Sequence, residues 1–110
     1  MSLGAVWVNL STICRIQEDF AQALAYAGQA LDVFRAIGTP YGEAHAWMRI
    51  GHAQVGLVQL EEAAASYSNA LTLRRQSGEH QSALEALTGL ARVHLLQGDA
   101  AQALNDLDEV

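Results

Sequence analysis

The stretch Trp47–Leu71, WMRIGHAQVGLVQLEEAAASYSNAL, decides how the rest of the chain is read. It holds two amphipathic runs separated by a short break at Leu57–Gln59. Apolar residues three and four apart fall on one face of an α-helix, so each run predicts a helix with one buried side. Two such helices form a hairpin that cannot bury its apolar face alone. The flanking chain has to supply the partners.

It does so by repetition. A shift of 40 residues brings Trp7 onto Trp47 and Leu87, and Leu10 onto Ile50 and Leu90. Ser11, Gly51 and Ala91 align as small residues, and Ile13 aligns with Ala53 and Val93. In the second half of each copy, Phe20 aligns with Leu60 and Ala100, Ala23 with Ala63 and Ala103, and Ala30 with Ala70 and Val110. Gly38 aligns with Gly78. A fixed period of about 20–50 residues marks a solenoid of stacked supersecondary units.

The residue types inside each copy resemble the tetratricopeptide repeat. Trp47, Ile50, Gly51, Ala63, Tyr67 and Ala70 stand at that family's large–large–small–small–aromatic–small spacing. Trp7, Leu10, Ser11, Phe20, Ala23 and Ala30 repeat the pattern, with Ala27 where a large residue is usual. Leu87, Leu90, Ala91, Ala103, Leu107 and Val110 repeat it again. The family's usual repeat is about 34 residues, and the longer form here resembles repeats in bacterial regulatory proteins and in some eukaryotic polarity scaffolds. The resemblance implies an all-α, right-handed α-solenoid of three antiparallel helix pairs, with copies at about 2–38, 40–78 and 80–110.

Composition agrees with one all-α domain. The 110 residues are 51% hydrophobic, many of them alanines, with a single proline and no strand-like alternation. The net charge of −6 argues against a nucleic-acid surface, which works by displacing counterions from phosphates with basic charge. It equally disfavours an anionic membrane surface. No apolar run reaches the ~18 residues of a membrane span, and MSLGAVWVNL lacks the basic start of a secretory signal. Cys14 has no second cysteine to pair with, which fits a cytoplasmic setting.

Along the chain, α-helices are expected from about Ser2 to Ile16, after Asp19, from Pro40 to Gly56, from Leu60 to Ser77, from His80 to Gln97, and from Ala100 onward. Leu3, Val6, Trp7, Leu10 and Ile13 mark the buried face of the first, and Phe20, Ala23, Leu24, Ala27, Leu31, Phe34 and Ile37 that of the second. Asp19 with Gln22, and Asp99 with Gln102, have the spacing of capping boxes. Gly38, Gly78 and Gly98 suit helix ends, and Thr39–Pro40 suits a helix start. The extra residues of each copy therefore lengthen helices rather than build a loop. Gly51 inside a helix implies close approach of a neighbour; Gly28 and Gly89 carry no such reason.

In the tetratricopeptide family the first helix of each pair lines a concave wall. That resemblance gives this chain a peptide-binding groove of Val8, Asn9, Thr12 and Arg15 from the first copy. The second adds His45, Met48, Arg49 and His52, and the third Glu85, Thr88 and Arg92. Arg49 and Arg92 suit bidentate bonds to a carboxylate. The positions matching the clamp of chaperone-tail-binding members hold Val8, Thr12, Arg49, Glu85 and Gly89, of which only Arg49 is compatible. His45 and His52 stand seven apart, whereas a metal pair on one helix prefers four. No phosphate loop, nucleophile elbow or paired-cysteine motif is present, and Glu61, Glu62, Asp106, Asp108 and Glu109 read as solvating charge. No metal, cofactor or catalytic residue is therefore expected. The expected function is non-catalytic protein or peptide binding, as sensor or scaffold segment of a larger bacterial regulator. The alternative is self-association through the sixth helix, where Ala101, Leu104 and Leu107 form an apolar flank with no helix after it, as in a fragment of a longer chain.

Overall fold

Every connection in this fold turns on one residue in left-handed backbone, and these residues recur at steps of 20: Glu18, Gly38, Val58, Gly78 and Gly98. The computed structural model describes residues 2–108; Glu109, Val110 and the side chains of His80, Leu107 and Asp108 lie outside the described residues. Between the turns run α1 (Leu3–Ile16), α2 (Phe20–Ile37), α3 (Pro40–Gly56), α4 (Leu60–Gln76), α5 (His80–Leu96) and α6 (Ala100–Asp108). No strand occurs among the described residues.

The turns share one hydrogen-bond pattern. The N–H after each left-handed residue donates to the carbonyl five residues back: Asp19 to Cys14, Thr39 to Phe34, Gln59 to Gln54, Glu79 to Arg74 and Asp99 to His94, at 2.8–3.2 Å. These bonds satisfy carbonyls that a helix end otherwise leaves orphaned. They also explain why only half of each expected capping box forms. Asp19 and Asp99 accept from the N–H groups of Gln22 and Gln102, at 3.3 and 3.0 Å. The reciprocal arm has no donor left, because the aspartate N–H already serves the preceding helix. Ser2 caps α1 and Thr39 caps α3 in the same way, while Gln59 and Glu79 make no side-chain cap.

Each helix packs against its neighbours in sequence, and α1 also meets α3 and α3 meets α5. Among the described residues, no corresponding contacts join α2 to α4 or α4 to α6. The first helices of the pairs thus sit closer together than the second helices, and the two-layered stack curves around α1, α3 and α5.

Two apolar clusters fill the stack. One joins Val8, Ala27, Ala30, Leu31, Phe34, Ala46 and Ile50; the other joins Met48, Tyr67, Ala70, Leu71, Leu87, Leu90 and Val93, among others. Trp47 packs against both, with the Arg35 guanidinium 5.4 Å from its ring centre. Aromatic rings seated on glycines set the closest approaches. Phe34 lies against Gly4 of α1 and Gly42 of α3, and Phe20 lies against Gly56. Tyr67 lies between Gly51 of α3 and Gly89 of α5, where an added Cβ would stand 2.7 and 2.9 Å from the ring. Gly51 and Gly89 are therefore explained by one side chain; nothing lies near Gly28 to explain it.

The buried face of α1 differs from the expected one. Leu3, Ile13 and, less so, Val6 are exposed, and the buried line is Gly4, Val8 and Ser11. The small residues win because α2 and Phe34 come close there: Ser11 Oγ donates to the Ala23 carbonyl at 2.7 Å. Ile37 is also exposed, in the last turn of α2 beyond the Phe34 contact.

Candidate functional site

Three clefts run along the wall of α1, α3 and α5. The first, 410 Å³, lies among Arg15, Glu18, Phe20, His52, Tyr67, Arg92 and Leu96. The second, 350 Å³, lies among Met48, Arg49, His52, Tyr67, Glu85, Thr88, Gly89 and Arg92. His52, Tyr67 and Arg92 line both, so the two clefts adjoin and form one compound depression. A third, 340 Å³ and mostly apolar, lies further toward the start of α3, among Val8, Asn9, Phe34, Tyr41 and His45. Tyr41 stacks on His45 with ring centres 6.5 Å apart at the mouth of this third cleft.

Of the eleven residues placed on the wall from sequence, ten line these clefts. Thr12 does not: its hydroxyl donates to the Val8 carbonyl of its own helix at 3.1 Å. Val8 and Met48 are 5% and 2% exposed, so they form the cleft floor as part of the core instead of reaching outward.

The electrostatics of the floor come from one arginine on each first helix, at positions that do not correspond under the 40-residue shift: Arg15 aligns with Val55 and Leu95, Arg49 with Asn9 and Gly89, and Arg92 with Thr12 and His52. All six basic residues of the chain are arginines, and Arg15, Arg49 and Arg92 converge here. Burial, then the nearby Arg15, hold the Arg49 guanidinium below its usual pKa. Among the described residues, the Nε–H groups of Arg15 and Arg49 are buried without a hydrogen-bond partner. His52 Nδ1 is 2.8 Å from the Tyr67 hydroxyl, the rings meeting edge to face. Burial first, then Arg49, Arg15, Arg92 and Arg74, push the His52 pKa down to about 4. Burial also pushes the Tyr67 phenol up to about 12. His45 is lowered too, by burial and then by Arg49. Histidine and phenol are thus both neutral near pH 7. A neutral pair linked by one hydrogen bond keeps one further N–H or O–H donor, whichever tautomer holds.

Sequence reasoning missed several residues. Tyr67 belongs to α4, yet its ring reaches through to the wall between two glycines. Arg74 is 5% exposed and occupies, one period on, the place of Phe34; it donates to the Ser82 carbonyl at 2.6 Å and pairs with Glu85 at 3.3 Å. The alignment of Phe34 with Arg74 was the available signal. Asp106 is corrected from solvating charge to a buried residue: it pairs with His94 and accepts from Gln102 Nε2 at 3.1 Å, joining α5 to α6. Glu61 and Glu62 are exposed. Cys14 is half-buried. On α6, Ala101 is exposed and Leu104 is 63% exposed, while the Leu107 side chain lies outside the described residues. Among the described residues, no three His, Cys, Asp or Glu side chains converge as a metal site requires, and no helix is long and apolar enough to cross a membrane.

Comparison with known proteins agrees with this geometry. Residues 44–77 match the model of the tetratricopeptide repeat family. The crystal structure of the TPR domain of Arabidopsis FLU superposes with a TM-score of 0.91, covering 96% of this chain and 89% of that one at 18% identity. No curated protein sequence matches the chain.

Proposed function

From a chain that carries a tetratricopeptide repeat at residues 44–77 and folds throughout as a right-handed tetratricopeptide-type solenoid, we infer a non-catalytic module that binds a protein or peptide along the wall of α1, α3 and α5. The observation that carries this reading is the presence of three clefts on that one wall, two of them adjoining. Asn9, Arg15, His45, Arg49, His52, Glu85, Thr88 and Arg92 supply the contacts, over a floor of Val8 and Met48. The apolar cleft beside Phe34 and Tyr41 takes a hydrophobic side chain, and the arginine-lined depression takes polar groups. Pockets for alternate side chains beside polar anchors are how grooves read an extended peptide. The module serves as sensor or scaffold segment of a larger cytoplasmic regulatory protein of bacterial type; resemblance to the longer repeats of such regulators supports that context, and the lone Cys14 accords with it.

A peptide selected from a random displayed library against the 110-residue chain tests the reading, with its footprint mapped by amide chemical shifts. The expected footprint covers His45, His52, Thr88 and Arg92. A footprint confined to the outward sides of α2 and α4 contradicts it. The exposure of Leu104 beside Ala101 supports a second reading, self-association through α6. Sedimentation of the same sample separates the two, since Leu104→Glu disperses an α6-mediated oligomer and leaves peptide binding intact.

A further inference from the structure

We propose that the joined depression on α1, α3 and α5 is a site for an acidic peptide, whose carboxylates are held by Arg15, Arg49 and Arg92 while the His52–Tyr67 pair donates one neutral hydrogen bond beside them. The proposal rests on the groove reading above and names the chemistry of its guest.

Four observations carry it. First, the three guanidinium groups come from three different helices, and the fold brings them into one depression within a chain of net charge −6. Second, the Nε–H groups of Arg15 and Arg49 are buried with no acceptor among the described residues, so the protein leaves both guanidinium groups incompletely paired, and both residues are only half-buried, within reach of a guest. Third, the two carboxylates lining the depression, Glu18 and Glu85, are outnumbered by its three guanidinium groups, and Glu85 is shared between Arg49 and the buried Arg74, with which it pairs at 3.3 Å. Fourth, the remaining wall groups are donors: neutral His52 with the Tyr67 hydroxyl, and Thr88.

Shape and charge select a peptide among anions. From His45 to Gly56 the wall follows α3 for about 16 Å, the span of about five extended residues. The apolar cleft at one end suits a side chain, which a free oxyanion lacks. A nucleic acid presents a long polyanion to a protein whose net charge repels it. Arg49 stands at a position of the chaperone-tail clamp, but Arg15, His52, Tyr67 and Arg92 do not, so the site differs from that clamp.

The test uses the whole 110-residue chain with two end-blocked probes, hexaglutamate and hexaglutamine, followed by calorimetry and by the imidazole resonances of His52. Hexaglutamate is expected to bind one to one and to raise the His52 pKa by about one unit, because the bound carboxylates offset the arginine field. Hexaglutamine is expected to bind at least tenfold more weakly. Arg92→Gln, at an exposed residue, weakens hexaglutamate about tenfold by removing charge-assisted bonds. Arg35→Gln, which lies outside the depression, has no effect. Equal binding of the two hexapeptides, an unmoved His52, or equal effects of Arg92→Gln and Arg35→Gln overturns the proposal. So does inorganic phosphate shifting His52 at the same concentration as hexaglutamate. If a library-selected peptide still maps to the wall under any of these outcomes, the groove reading stands and only the charge assignment falls.

Discussion

Tyr67 and His52 show how a single pair of side chains ties packing to chemistry. The tyrosine ring fills the space that Gly51 and Gly89 leave, and its hydroxyl meets His52 Nδ1 at 2.8 Å. The same burial, with four arginines around it, keeps the imidazole neutral down to a pKa of about 4. The unfolded chain takes up that proton near 6.5, so the unfolded state binds more protons between the two values. Stability therefore falls as pH drops through that window. Between pH 7 and 4.5 the chain should lose roughly 2 kcal/mol more than the His52→Gln variant, which keeps a polar group beside Tyr67. Chemical denaturation at the two pH values measures the difference. Parallel losses in both proteins contradict the assignment of the buried, cation-surrounded imidazole.

The helices and turns explain what could be read from residues alone and what could not. Helix starts at Asp19, Thr39 and Asp99 and the stops at Gly38, Gly78 and Gly98 are local chemistry, and each appears where the sequence indicates. The turns at Glu18 and Val58 use the same left-handed backbone without the glycine that announces it. Repetition imposes the turn, and the side chain accommodates. Val58 is the more strained, because a β-branched residue at φ 59° crowds its own carbonyl. Its side chain is 75% exposed, so nothing is lost by removing it. Val58→Gly should stabilise the chain by about 1 kcal/mol, seen as a rise in Tm of about 4 °C. A lower Tm contradicts the strain at this turn. The buried face of α1 was misread for a related reason. Hydrophobic spacing finds large residues, whereas the closest helix contacts choose small ones such as Gly4 and Ser11. Arg74 and Asp106 escaped because a buried charge is legible only from its partners, Ser82 and His94, which lie on other helices.

Across the whole molecule, one geometric device builds the wall. Rings from the second helices pass between the first helices and rest on glycines, so α1, α3 and α5 come together while α2, α4 and α6 stay apart. The clefts, their arginines and the neutral donor pair all depend on that spacing. It was only partly legible, since Gly51 pointed to a close neighbour but neither the identity of that neighbour nor its second contact at Gly89 follows from one helix alone. Nuclear Overhauser contacts of the Tyr67 ring test the device most directly. The account predicts cross-peaks from the ring to the α-protons of both Gly51 and Gly89; a ring in contact with only one of them, or with neither, contradicts it.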